Sequence, residues 1–147
     1  MTLKSRITDD MKAAMRAREA ARLSTIRLLL AAIKQREVDE RKELGDTEIV
    51  AVIDKMVKQR KDSIVQFEAG KRQDLADVER AELAILETYL PQRLSDTEID
   101  AAIDAAIART GASGPAGIGK VMGALKTELA GRADLSAVSA KVRSRLA

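Results

Sequence analysis

The first 44 residues contain neither glycine nor proline; all eight Gly and both Pro lie from Gly45 onward. The two residues that most readily stop a helix are therefore missing from nearly a third of the chain. Over the same stretch apolar side chains recur three and four apart: Leu3, Ile7, Met11, Ala14 and Met15, then Leu23, Ile26, Leu30 and Ile33. That period is helical. A single helix of this length would run about 66 Å at ~1.5 Å per residue, too far for a small domain. A break is expected near Arg18-Glu19-Ala20, although no breaker residue marks it.

Gly45 is expected to close the second helix and Asp46 to cap the third. Ile49, Ile53, Met56, Ile64 and Phe67 share a face up to residue 69, where Gly70 interrupts. Leu75, Val78, Ile85, Leu86 and Tyr89 or Leu90 give a fourth helix that Pro91 should terminate. Ser95-Asp96-Thr97-Glu98 is a capping box that restarts the chain. Ile99, Ile103 and Ile107 follow on a short helix. Gly111, Gly114, Pro115, Gly117 and Gly119 then read as a loop. Two more helices carry Ile118, Met122, Leu125 and Leu129, then Leu135, Val138, Val142 and Leu146. The expected fold is all-α, with an N-terminal antiparallel helical bundle over residues 1–92 and a small C-terminal three-helix lobe over 93–147.

Composition narrows the function. Aromatics are 1% of the chain, Phe67 and Tyr89 alone, so the core must be aliphatic, and Met11, Met15, Met56 and Met122 sit at core spacing. There is no Cys and no His. Disulfides, thiolate or imidazole zinc sites, a Ser-His-Asp triad and a cysteine nucleophile are excluded. No stretch approaches 18 apolar residues, so nothing is expected to span a membrane, and no membrane partner is expected. Met1-Thr2-Leu3-Lys4 leads into charge with no apolar leader, and a cytoplasmic location is the expectation.

Carboxylates are abundant, but none forms a persuasive acid–base pair; Glu37, Asp39, Glu40 and Glu43 read as surface acids at a helix end. No catalytic residue, metal or cofactor is assigned. Gly114-Pro115-Ala116-Gly117-Ile118-Gly119-Lys120-Val121 approaches a phosphate loop and fails where the chemistry matters. Val121 stands where a hydroxyl must hold Mg²⁺, and no strand precedes it. It reads as a turn into a helix whose first N–H groups can meet a phosphate oxygen.

The charge distribution is more telling than the net +3. Residues 95–108 hold four acids and no base, whereas residues 109–147 hold seven bases and two acids. An excess of that kind attracts phosphate. Lys120, Lys126, Arg132, Lys141 and Arg143 are the candidate RNA contacts. Lys58 and Lys61, on one face of the third helix, and Lys71 with Arg72 at a corner, are weaker candidates. Their ordinary alternative is a solvated face with i,i+4 ion pairs. Aromatic platforms for single strands are missing, so contact with RNA would be to phosphate and shape.

Several runs together resemble the GatB/YqeY family: Arg22-Leu23-Ser24, Arg27-Leu28-Leu29, Ala31-Ala32-Ile33-Lys34, Lys58-Gln59-Arg60-Lys61-Asp62-Ser63-Ile64, Tyr89-Leu90-Pro91, Gly119-Lys120-Val121-Met122 and Gly131-Arg132-Ala133-Asp134. They cover the chain in order. The resemblance implies a helical bundle followed by a smaller helical lobe, similar to the tail of the B subunit of the aspartyl/glutamyl-tRNA amidotransferase. It implies a tRNA-binding appendage, kin to a carbon–nitrogen ligase that uses glutamine as amido donor, without that enzyme's ATP and Mg²⁺ cradle. The expected function is a tRNA-associated accessory module with no turnover of its own. The alternative is a helical protein–protein adaptor docking a synthetase or an amidotransferase-related partner, which requires an exposed apolar seam on the N-terminal lobe.

Overall fold

The computed structural model describes residues 1–147 and contains seven α-helices, one 3-10 turn and no strand. The chain divides into two compact units, Met1–Leu90 and Pro91–Ala147.

In the first unit, α1 (Leu3–Arg16), α2 (Ala20–Glu40), α3 (Asp46–Ala69) and α4 (Gln73–Glu87) enclose one aliphatic core. Ile7, Ile26, Leu29, Ile33, Ile49, Ile53, Val57 and Leu86 are at most 1% exposed. Burying side chains of this size contributes about 1.5–3 kcal/mol each, enough to override the charge on the outer faces. Met15 and Val78, both expected in the core, are 47% and 56% exposed. Each sits at the rim of its apolar stripe, where spacing alone does not separate inside from edge.

The joints differ from the glycine-based expectation. Three basic residues adopt left-handed backbone: Arg18 (φ 58°), Arg41 (φ 54°) and Lys71 (φ 59°). The break between α1 and α2 is made at Arg18, where the Glu19 N–H donates to the Ala14 carbonyl at 3.0 Å. Arg41, not Gly45, ends α2, and its N–H and that of Lys42 both donate to the Glu37 carbonyl. Gly45 instead precedes α3, and the Asp46 carboxylate accepts the Leu3 N–H at 3.0 Å. Lys71 turns the chain between α3 and α4. α4 stops at Glu87, ahead of Pro91, and the Tyr89 hydroxyl beyond it donates to Asp10 at 2.6 Å.

Glu37, a surface acid by its sequence pattern, is buried at 7% exposure. Its carboxylate accepts from Lys4 Nζ at 2.8 and 2.9 Å and from the Leu44 N–H at 2.9 Å. It thereby fastens α1 and the loop after α2 to α2 itself. The Lys4 ammonium, and then the Leu44 N–H, hold this carboxyl below its ordinary pKa.

The second unit packs α5 (Asp96–Thr110), α6 (Ile118–Glu128) and α7 (Leu135–Leu146) around Ile103, Ala106, Val121, Leu125, Leu129, Val138 and Val142. Its start is the capping box read from the sequence: the Glu98 N–H donates to Ser95 Oγ, and the Ser95 N–H to Glu98 Oε1, both at 3.2 Å. Ahead of α6, Pro115–Gly117 is a 3-10 turn. The Gly117 N–H is spent on Gly114 at 3.0 Å and that of Ile118 on Pro115. The helix start is thus less open to an anion than the sequence suggests. Gly119, expected in the loop, lies inside α6.

Candidate nucleic-acid interface

The basic tract of the second unit separates into two populations. On α7, a periodicity of three to four residues buries Val138, Val142 and Leu146. Lys141 and Arg145 lie on one flank of that stripe and Arg143 on the other. The acids of α5 meet the first flank. Lys141 Nζ lies 3.2 Å from Asp100 and 3.8 Å from Asp96; Arg145 pairs with Asp100 at 3.3 Å and with Asp104. Asp96, Asp100 and Asp104 of the acidic stretch and Lys141 and Arg145 of the basic tail therefore neutralise each other between α5 and α7. Arg109 is likewise 3.6 Å from Glu128.

Arg132 is engaged differently. Its Nε donates to the Gln92 carbonyl at 3.2 Å, and its own carbonyl accepts the Leu94 N–H at 2.8 Å. It pins the segment before α5 to the turn after α6, where Gly131 has φ 72°. The guanidinium is half-buried, stays free of carboxylates within 4 Å, and helps hold Glu98 below its ordinary pKa, behind the larger effect of the Ser95 N–H and hydroxyl.

Lys120, Lys126 and Arg143 are exposed and have no carboxylate within 4 Å. Arg93, which lies outside the basic tract picked out by composition, shares both properties. Lys120 and Lys126 border the outer face of α6. With Val121 and Leu125 facing the core, the exposed positions between the two lysines are Gly119, Gly123 and Thr127. No acid lies on this face. A Cβ placed on Gly119 or Gly123 would meet nothing within 4 Å, so neither glycine is there to make room for another part of the unit. Two glycines inside an 11-residue helix cost it about 0.5–1 kcal/mol each relative to Ala. What they provide is a bare backbone strip that a bulky ligand can approach closely, with an ammonium at either edge.

The weaker candidates do not assemble into a comparable face. Lys58 lies 3.7 Å from Asp54, and Arg72 is 3.0 Å from Asp74. Lys61 and Lys71 are exposed and unpaired, but they lie on separate elements, Lys61 within α3 and Lys71 in the turn after it. Between Lys58 and Lys61, Arg60 reaches Glu82 at 3.2 Å and Glu79 at 3.9 Å, clamping α3 to α4.

A model of the family described as Yqey-like protein matches residues 4–146. Curated relatives include the protein named altered inheritance of mitochondria protein 41, mitochondrial, in several fungi. That of Kluyveromyces lactis is 41% identical over 66% of this chain and 54% of its own length. The Saccharomyces cerevisiae protein is 35% identical over 65% and 52%. The Pyrenophora tritici-repentis protein is 31% identical over 94% of this chain and 77% of its own. The chain thus spans about half the length of most of the relatives it matches. Their names overturn the expectation of a cytoplasmic location. The lack of cysteine behind that expectation is common to reducing compartments in general and does not distinguish the cytosol from an organelle interior. The match runs through both units and includes the α6 face, and on it the chain belongs to the Yqey-like protein family.

Proposed function

We propose that this protein is a tRNA-associated accessory module whose second unit grips the phosphate backbone of a folded RNA. The observation that carries the reading is the outer face of α6: unpaired Lys120 and Lys126 at its edges, bare Gly119 and Gly123 between them, and no acid. Arg143 and Arg93 add unpaired charge to the same unit, and Arg132 adds a half-exposed guanidinium. Lys141 is occupied by Asp96 and Asp100 and contributes to the fold in place of the ligand. Cations of this kind recognise phosphate and shape, and carry no base code. The kinship to the amidotransferase tail, read from the sequence, supplies the RNA class.

Three such contacts would make affinity fall about 40-fold between 50 and 200 mM salt, at a slope of roughly 0.9 per phosphate neutralised. A gel-shift titration of the full chain with bulk tRNA at those two salt concentrations tests this. Binding at low salt that collapses at the higher concentration is expected. No binding at low salt, or binding indifferent to salt, would contradict the reading.

A further inference from the structure

The first unit holds a surface that RNA binding does not use. α2 carries a second face of mostly small and apolar side chains besides its buried one. Its inner face buries Ile26, Leu29 and Ile33. Its outer face carries Ala21, Ser24, Leu28, Ala31, Gln35 and Val38, all exposed, with Leu28 at 46% and Val38 at 58%. These positions alternate three and four apart, the a/d spacing of a helix that packs a second helix along its length. The strip runs about 26 Å at ~1.5 Å per residue. Beside it, α2 and α3 leave an open groove of about 490 Å³ floored by Ala32, Val52 and Met56. No helix of the first unit occupies that side of α2.

The charge along the strip states what would cover it. Arg27 and Lys34 lie on one border, at positions that flank such a seam, and Lys55 lines the groove on the other. None of the three has a carboxylate within 4 Å; Arg27 meets only the Met15 sulfur, at 3.9 Å. The one acid lining the groove, Asp39, is bonded to the Gln35 amide at 3.0 Å. We propose that the outer face of α2 docks a single amphipathic helix of a partner protein, with apolar side chains in the strip and carboxylates along its flanks. A second copy of this chain fits less well. In a parallel pair it would set Thr25, Ala32 and Asp39, with one acid among them, against the flanking cations, and in an antiparallel pair it would set those cations against each other.

The probe is a dye-labelled peptide of three heptads with Leu at a and d and Glu at e and g, titrated with the full chain by fluorescence anisotropy. Its counterpart carries Lys at e and g. The acidic peptide is expected to bind at least tenfold more tightly than the basic one. The double substitution Leu28→Glu and Ala31→Glu should weaken it at least tenfold with far-UV circular dichroism unchanged. Reversal of the border by Arg27→Glu and Lys34→Glu should transfer the preference to the basic peptide. The proposal is overturned if the two peptides bind alike, if neither binds, or if the double variant still binds. Displacement of the peptide by bulk tRNA, or Leu28-dependent dimerisation in sedimentation, would assign the strip to RNA or to a second copy. Because substitution of Lys120 and Lys126 on α6 leaves α2 intact, loss of tRNA binding and loss of peptide binding are separable.

Discussion

One carboxylate, that of Glu37, holds three segments of the first unit together, and its pH behaviour follows from its partners. Lys4 and the Leu44 N–H stabilise the ionised form in the folded state only, so the folded pKa lies below the unfolded value of 4.5. The stabilisation is complete above that value and is lost as pH falls through the depressed folded one. Glu37→Gln is therefore expected to lower the melting temperature at neutral pH and to shrink the acid-side fall, measured as the difference between the two melting curves from pH 7 to 3. Curves that stay parallel would contradict this. Tyr89 works in the opposite sense. Burial, then the bond to Asp10, pushes its phenol up to about 12, so its contribution is present below the unfolded value of 10 and disappears as pH climbs beyond it. Glu37 was legible only as a charged residue near a helix end. Its partner Lys4 is 33 residues away, and no local pattern reports a contact of that separation.

The helices were legible because burial repeats every three to four residues, whereas their joints were not. The turns at Arg18, Arg41 and Lys71 use left-handed backbone without glycine. Such a conformation costs a β-carbon-bearing residue about 1–2 kcal/mol. It persists here because the apolar faces on both sides fix the path. Arg41→Gly removes that cost and adds the entropy of a glycine, about 0.5–1 kcal/mol. A net gain of about 0.5–1 kcal/mol is expected in urea denaturation; a loss would mean that the Arg41 side chain itself stabilises the joint. α6 offers the reverse trade. Gly123 sits in open space, so Gly123→Ala should stabilise the protein by about 0.5–1 kcal/mol. If the bare strip is where RNA approaches, the same substitution should weaken tRNA binding. A variant both more stable and equally competent in binding would show that the glycine serves neither packing nor ligand. The capping box at Ser95 was legible in full, since all its parts lie within four residues; Ser95→Ala should cost about 1 kcal/mol.

Across the whole chain, charge that builds the fold is distinct from charge that is free to bind. The sequence showed a basic tail but not its division, because Lys141 and Arg145 meet acids some 41 residues upstream. Only the folded α5–α7 pairing reveals that these two are neutralised while Lys120, Lys126 and Arg143 remain free. The same blindness hid Arg93, which lies outside the tract that composition singled out. The most direct test is the slope of log affinity for bulk tRNA against log salt, measured for the wild type and for two charge variants. Neutralising Lys120, Lys126 and Arg143 together is expected to reduce the slope by about one for each phosphate that a removed cation had neutralised. Neutralising Lys141 and Arg145 should leave the slope in place and lower the melting temperature. If the second variant flattens the salt dependence and the first does not, this division of charge is wrong.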